Sequence, residues 1–244
     1  MTELDWLVFE ENHFVARAEA LDWLDLDADQ VQRLVAVDDA LFARLRERVR
    51  CGECRGEAFR KMVSEFVQWG GDAEAYDHLD LFMNHLFGWR EMPIPTQALE
   101  PEMVEYYKTP ARVVFDLVER YELTADDVFV DLGSGLGEVV FLVNLLTGAS
   151  ARGIEIEPAY CEYAREEALR LGLRDVSFVA ADVREADLSD GTVFFLYTPF
   201  KGTILRALLE RLRKESLSRR IRVIPYGPCT AAVRAVSTGS CRWF

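Results

Sequence analysis

Three glycines at alternate positions lie between two apolar runs in the segment DVFVDLGSGLGEVVF, residues 127–141. The run 128–130 predicts a buried strand, and the apolar spacing over 138–146, before Gly148, predicts a helix. Glycine at a strand-to-helix turn lets bare backbone approach a ligand and directs the first helical N–H groups at it. We therefore predict a cofactor-binding loop, with a tight turn that binds nothing as the alternative.

The residues around the glycines restrict the type of cofactor. A dinucleotide fingerprint has glycine or alanine three residues after its second glycine, and this chain has Glu138 there, where a carboxylate would face a pyrophosphate. A P-loop ends in Gly-Lys-Ser/Thr, and no lysine lies between Lys108 and Lys201. NAD, FAD and P-loop ATP are thus disfavoured. In the remaining pattern, D-x-G-x-G-x-G, Asp131 adds negative charge that would stabilise a cationic ligand.

Two more acidic residues follow at the ends of predicted strands. Glu155 ends the predicted strand 151–156, 22 residues after Gly133, where a carboxylate can accept hydrogen bonds from both ribose hydroxyls. Asp182 follows a third predicted strand, 176–180. The order of the three acids predicts a ligand that contains a nucleoside.

This ordered set resembles motif I and the later acids of class I S-adenosyl-L-methionine (SAM) methyltransferases. The resemblance implies SAM as the cofactor, with Asp182 near the adenine amino group. It implies a cofactor-binding set made of Asp131, Gly133, Ser134, Gly135, Gly137, Glu155, Asp182 and Val183.

Residues 109–182 resemble, more narrowly, the histone lysine methyltransferases of the disruptor-of-telomeric-silencing type, which use a class I sheet. The resemblance rests on TADDVFVDLGSGLGEVVFLV at 124–143, on GIE at 153–155, and on YYKT at 106–109. It implies that Tyr106 and Thr109 close over the methionine part of SAM.

The segment after the fourth predicted strand differs from that family. The family has Asn-Asn-Phe there, whereas this chain has YTPF at 197–200. YTPF also resembles the Asn/Asp-Pro-Pro-Tyr motif of amino-group methyltransferases, but Tyr197 replaces their amide or carboxylate. We take Tyr197 and Thr198 as the candidate catalytic residues. Methyl transfer from a sulfonium mainly requires alignment, so Tyr197 or Tyr106 is expected to orient the acceptor.

Strand and helix patterns alternate from residue 128 to 224, which predicts an α/β fold with a doubly wound, mainly parallel, Rossmann-like sheet. Residues 1–95 show helical periodicity and predict an N-terminal helical extension, which MPIP at 92–95 ends. One predicted helix face in this region consists of Val31, Leu34, Val35, Leu41, Phe42, Leu45 and Val49. The predicted domains are therefore 1–95, helical, and 96–244, SAM-binding. The 17 residues after Gly227 suffice for one or two short antiparallel strands, with trimmed or absent last strands as the alternative.

The formal net charge is −14, and its distribution is uneven. Residues 1–100 carry 21 acidic and 10 basic side chains, whereas residues 201–244 carry 2 and 10. The acidic part would repel nucleic acid and favours a small-molecule or basic protein acceptor. The basic stripe over 206–222 is expected to be a solvated helix face, with phosphate binding as the alternative.

The chain has no run of 18 apolar residues, and its N-terminus, MTELDWLVFEEN, is acidic. These features predict neither a membrane span nor a signal peptide, and five irregularly spaced cysteines favour the reducing cytoplasm. Cys51 and Cys54 form a C-x-x-C pair without a second paired ligand motif, so no metal is expected.

The sequence thus predicts a SAM-dependent methyltransferase whose acceptor is unidentified, a protein lysine being one candidate. The alternative is a SAM-binding pseudoenzyme or regulatory module that acts through its helical N-terminal region, because the unusual YTPF segment leaves catalysis open.

Overall fold

The structure is a computed structural model that describes residues 12–67, 76–88 and 90–236. Its strands are β1 Val128–Leu132, β2 Ser150–Glu155, β3 Val176–Ala180, β4 Val193–Tyr197 and β5 Arg222–Tyr226. Its helices are α1 Phe14–Trp23, α2 Ala28–Arg50, α3 Glu57–Ser64, α4 His78–Phe87, α5 Ala111–Arg120, α6 Glu138–Thr147, α7 Pro158–Arg170, α8 Gly202–Ser218 and α9 Thr230–Val236.

The described chain forms two compact units. One consists of residues 12–67, 76–88, 90 and 110–113, and the other consists of 91–109 and 114–236. The first unit is helical, and its core contains Phe14, Phe42 and Phe82, which meet edge to face. Because these aromatic side chains all face the core, they produce the helical periodicity that the sequence shows in this region.

Helix α2 shows one difference from its predicted apolar face. Val31 and Val35 were expected to belong to that face, but both are exposed. Asp38 occupies the centre of the face instead, because it forms a buried ion pair with Arg17 at 2.7 Å. Burial raises the pKa of Asp38, and the Arg17 guanidinium partly offsets this effect.

The second unit contains a five-stranded sheet in the order β3-β2-β1-β4-β5, and every neighbouring pair of these strands is parallel. The predicted α/β class is therefore confirmed. Strand order reverses beside β1, since β2 and β4 flank it on opposite sides. In open parallel sheets ligands bind at the carboxyl ends of the strands at such a switch point.

The chain after β5 differs from the expectation of antiparallel strands. Residues Gly227–Cys229 form a 3-10 turn, and α9 follows directly. The Cys229 N–H donates to the Thr198 hydroxyl, and the Cys229 and Val233 side chains are buried, so the chain turns back across the sheet. Residues 237–244 of that prediction lie outside the described residues.

In the part of the chain that the structure describes, no helix is both long enough and apolar enough to cross a membrane.

Candidate active site

A cavity of about 720 Å³ lies at the carboxyl ends of the central strands. Asp131 of β1, Glu155 of β2 and Tyr197 of β4 line it, as does Asp182 just after β3. The other predicted site residues that line it are Tyr106, Thr109, Gly133, Ser134, Val183 and Thr198. The fold thus brings together residues predicted from separate parts of the sequence, and the volume is within the usual range for cofactor pockets.

Gly135 and Gly137 belong to the glycine loop but are not among the residues that line the cavity. Gly135 has a φ of 51°, and a Cβ at this position would lie 2.2 Å from Cε2 of Tyr106. Gly137 is the N-cap of α6, and its Cβ would lie 2.6 Å from the Phe178 ring. The two glycines therefore permit close packing of the loop against its neighbours.

The Glu155 carboxylate connects the second strand to the glycine loop. One of its oxygens accepts the Gly135 N–H at 2.8 Å, and the other accepts the Glu157 N–H at 3.0 Å. Burial raises the pKa of Glu155, although these backbone hydrogen bonds act in the opposite direction. Its charge is therefore held by the backbone amides at the edge of the cavity.

Asp131 gives the cavity a strong preference for cations. Its side chain is buried, and burial together with the nearby Glu155 charge raises its pKa to about 8. A cation beside it would restore the ionised form. The buried Ser134 hydroxyl makes no hydrogen bond within the described residues, so a polar partner from a ligand suits it. The Asp131 carboxyl and the Ser134 hydroxyl therefore fit SAM, which carries a sulfonium and an ammonium group.

Arg184 holds Asp182, the predicted adenine-site acid. The Asp182 carboxylate accepts the Arg184 backbone N–H at 2.7 Å and the guanidinium Nη2–H at 2.5 Å. This side-chain hydrogen bond lowers the pKa of Asp182. The same Nη2 donates to Glu100 at 2.5 Å. Arg184 therefore connects the adenine-site acid to the segment that contains Glu100.

Residues 91–109, which we call the strap, lie between α4 and α5 outside any helix or strand, and many of them line the cavity at this end of the sheet. The buried carboxylate of Glu157, the N-cap of α7, accepts the backbone N–H groups of Thr96 and Gln97 at 2.8 and 2.9 Å. Burial alone would raise the pKa of Glu157, but hydrogen bonds from Ala159 and Thr96 outweigh it and hold the pKa below its usual range. Glu157 therefore stays charged and fixes the strap.

Further contacts fix the second half of the strap. The Glu102 carboxylate accepts the Thr203 N–H at 2.6 Å at the start of α8, and the Val104 N–H donates to the Pro199 carbonyl at 2.9 Å. Lys108 pairs with Glu138 at 3.0 Å. The sequence analysis identified none of these anchoring contacts. Only for Glu157 did the sequence contain a partial indication, because an acid directly before Pro158 is typical of the start of a helix.

The YTPF segment lies between the strap and β5. The Tyr197 ring lies 6.4 Å from the ring of Tyr107 and 5.2 Å from that of Tyr226. Thr198 has a φ of 45°, and its hydroxyl donates to the Tyr226 carbonyl at 3.0 Å while it accepts the Cys229 N–H. The Thr198 hydroxyl therefore joins the ends of β4 and β5 and holds Tyr197 among the other tyrosines.

Seven acidic side chains line the cavity, and none of its described lining residues is lysine, arginine or histidine. Its acidic members are Glu100, Glu105, Asp131, Glu138, Glu155, Glu157 and Asp182. Glu100, Glu138 and Asp182 are paired with bases outside the lining. Because burial keeps Asp131 largely protonated in the free protein, the excess of negative charge comes from Glu105, Glu155 and Glu157.

The basic stripe has structural roles at several positions. Arg211 donates to the carbonyls of Val183 and Ala186, both at 2.5 Å, and Arg219 donates to the Leu188 carbonyl at 2.6 Å. These arginines hold the loop between β3 and β4. Arg222 likewise pairs with Asp127 and donates to the Tyr121 carbonyl.

The C-x-x-C pair lies in the first unit, with Cys51 exposed and Cys54 buried. The Cys51 thiol donates to Glu47 at 3.1 Å. Over residues 12–67, 76–88 and 90–236, no group of three or more histidine, cysteine or acidic residues is placed to hold a metal ion.

The parallel sheet, the glycine loop after β1 and the acids after β1, β2 and β3 are the features of the SAM-binding fold of class I methyltransferases. The protein-family model for "Histone methylation protein DOT1" matches residues 103–194, which contain the loop and all three acids.

Two curated proteins match parts of the chain. The chain is 34% identical over 82 residues to an H3 lysine-79 specific histone-lysine N-methyltransferase of Gibberella zeae, a match that covers 30% of this chain and 17% of that protein. It is 30% identical over 110 residues to an uncharacterised protein of Methanocaldococcus jannaschii, with coverage of 45% and 47%. The chain thus spans less than half the length of these curated relatives.

Among solved structures, an RNA methyltransferase from Salinibacter ruber in complex with S-adenosyl-L-homocysteine is 35% identical to this chain. The match covers 45% of this chain and 71% of that chain, with a TM-score of 0.42.

Replacing Glu155 with alanine tests the predicted ribose contact. We expect the Kd for S-adenosylhomocysteine to rise at least about tenfold, because each hydrogen bond to a charged group contributes about 1.5–3 kcal/mol. The melting temperature of the free protein should fall by roughly 2–4 °C, because the Gly135 N–H loses its acceptor. Calorimetry and thermal melting measure both values.

Glu162→Ala is the matched control, because Glu162 is an exposed acid on α7. Unchanged affinity in Glu155→Ala would show that Glu155 does not bind the ribose.

The raised pKa of Asp131 predicts pH-dependent cofactor binding. Between pH 6 and 7.5 the free carboxyl group is mostly protonated, and a cation must displace that proton. SAM affinity should therefore increase on the order of tenfold over this range, measured below the pKa of an α-amino group near 8. Calorimetry in buffers of different ionisation enthalpy should show proton release on binding. Asp131→Asn should bind weakly with a flat pH dependence, and a wild-type profile that is also flat would refute the assignment.

Arg184→Ala should weaken S-adenosylhomocysteine binding about fivefold, because Asp182 loses the guanidinium donors that fix its orientation and keeps only the backbone N–H of residue 184. Glu100→Ala removes the acceptor that the strap offers to the same guanidinium but leaves Asp182 held, so its affinity should stay within about twofold of wild type. Equal losses in the two variants would mean that the strap, and not Asp182, carries the effect.

Proposed function

We propose that the protein transfers the methyl group of SAM to an amine nitrogen of a cationic acceptor, with a protein lysine as the leading candidate. The observation that supports this proposal is the lining of the cavity, which has seven acidic side chains and no basic one among its described residues. Such a lining attracts cations and repels polyanions such as nucleic acid.

Two of the comparisons with named proteins also support a protein lysine as the acceptor. One relative carries the name of a histone lysine methyltransferase, and the part of this chain that matches the DOT1 family model includes the glycine loop, Glu155 and Asp182. Neither the charge of the cavity nor these comparisons favour the pseudoenzyme alternative, so we do not propose it.

The acidic residues of the cavity would hold SAM, which supplies a methyl group already activated by a sulfonium charge. Asp131 would balance its positive charge, and Glu155 would accept hydrogen bonds from the ribose. Asp182, held by Arg184, would accept from the adenine amino group. Tyr106 packs against Gly135 and also lies edge to face with Tyr160, at 5.7 Å, so it closes the loop side of the cavity.

Tyr197 would orient the acceptor from the β4 side. The rings of Tyr107 and Tyr226 lie 6.4 and 5.2 Å from the Tyr197 ring, and the faces of aromatic rings attract an ammonium group. Thr198 is a positioning residue, since its hydroxyl is occupied by the Tyr226 carbonyl and the Cys229 N–H. Its left-handed φ fixes the direction in which Tyr197 leaves the sheet.

An ammonium group cannot attack the methyl carbon until it loses a proton. A lysine amine has a pKa of about 10.4, and an acidic cavity favours its charged form. A tyrosine of pKa about 10 is a poor base at neutral pH, so the proton is expected to leave to water before transfer. Methyl transfer should therefore be faster at higher pH.

The test is transfer of radioactive methyl from SAM to three probes: core histones, a lysine-containing basic peptide and total RNA. We expect label in the protein or peptide and none in the RNA. At saturating SAM, kcat/KM for the peptide should rise about tenfold per pH unit between pH 7 and 9, as the neutral amine increases.

Variants of Tyr197 identify the acceptor side. Tyr197→Ala should lower kcat/KM for the peptide by about tenfold or more through lost alignment, whereas S-adenosylhomocysteine affinity stays within about threefold. Tyr197→Phe removes only the hydroxyl group and so separates its contribution to kcat/KM from that of the ring. Label in RNA alone, or a rate independent of pH, would contradict the proposed acceptor class.

A further inference from the structure

The strap, which is 19 residues long, carries several exposed apolar side chains. Ile94 is 86% exposed and Tyr107 is 64% exposed. Met92, Leu99 and Val104 are also exposed, and these three together with Tyr107 line the mouth of the cavity. Exposed apolar side chains grouped beside a polar cavity are typical of surfaces that contact another molecule.

The backbone beneath these side chains is fixed. Glu157 holds the strap at Thr96, Arg184 holds it at Glu100, and hydrogen bonds to Thr203 and Pro199 hold it near Glu102 and Val104. The apolar side chains are therefore held at fixed positions, so binding of a partner does not cost free energy for ordering this backbone.

Charge decides which molecule fits this surface. Glu100 and Glu105 of the strap line the same cavity as Asp131 and Glu155, and the described lining contains no base. A polyanion would be repelled. A second copy of this chain is disfavoured as well, because its own net charge is −14. A free small amine could enter the cavity without touching Ile94, which is outside the cavity lining.

We propose that the strap is the docking surface for the methylated protein itself, and that the segment bound there is basic with at least one apolar residue. Ile94 is the outer apolar contact and Tyr107 the inner one, next to the cavity. The inference rests on the proposed function and extends it, because it assigns the acceptor to proteins and not to small amines.

A site-specific photo-cross-linker tests the contact without requiring catalysis. Benzoylphenylalanine replaces Ile94 in one full-length variant and Leu169 in the control, since Leu169 of α7 is 80% exposed. Each variant, loaded with S-adenosylhomocysteine, is irradiated with core histones as a basic protein probe. We expect histone cross-links at position 94 and at most a background amount at 169. Equal yields at the two positions, or none at 94, would overturn the docking surface.

A kinetic comparison adds a second, independent readout. Ile94→Ser should raise the KM for histone about tenfold, as expected for an apolar side chain that is buried on binding, while KM for SAM stays at the wild-type value. Leu169→Ser should change neither constant. Melting temperature and S-adenosylhomocysteine affinity confirm that both variants are folded.

The outcomes separate this inference from the proposed function. Cross-linking at position 94 without any methyl transfer would support docking and refute the amine methyltransferase. Methyl transfer to a small amine but not to histone, or transfer to histone with the same KM in Ile94→Ser and wild type, would support the methyltransferase and refute docking.

Discussion

The Glu155 carboxylate is the interaction on which the site depends. It ends the second strand and accepts the N–H groups of both Gly135 and Glu157, so a single side chain fixes the glycine loop and the start of α7. The loop in turn can pack against Tyr106 only because Gly135 has no side chain. An acid at this position thus gives the loop a fixed shape and leaves negative charge facing the cavity.

Burying several carboxylates together costs free energy, and the structure offsets that cost in different ways. Glu157 and Glu102 are stabilised by N–H donors from the strap and from α8, and Asp182 by Arg184. Asp131 has no comparable compensation, and its pKa rises to about 8. The cavity therefore suits a cation, because a positively charged ligand would stabilise the ionised form of Asp131 that the protein alone does not stabilise.

In the proposed function the strap would connect cofactor binding with acceptor binding. It contributes Tyr106, Tyr107 and Thr109 to the cavity lining, whereas Ile94 is exposed outside that lining. Since the anchors of the strap lie on the same loops that carry Asp182 and Pro199, the positions of the two sites are set together. This arrangement explains how a small sheet without dedicated acid–base groups could align two substrates.

The sequence predicted the parallel sheet and the acids after three strands, because buried strands and glycine turns have local signatures. It did not predict the strap anchors, since Thr96 and Glu157 are 61 positions apart and Glu102 and Thr203 are 101 apart. Contacts of this kind depend on tertiary structure. For the segment after β5 the sequence left open whether strands follow, and residues 230–236 form a helix behind Cys229, whose N–H donates to Thr198.

A crystal structure of the protein with S-adenosylhomocysteine tests the central claim most directly, namely that these carboxylates form a cavity for a positively charged nucleoside cofactor. The account predicts both ribose hydroxyls within about 3 Å of the Glu155 carboxylate, with the ligand ammonium group on the side of Asp131 and Ser134. A ligand bound elsewhere, or one whose ribose contacts neither oxygen of Glu155, would contradict it.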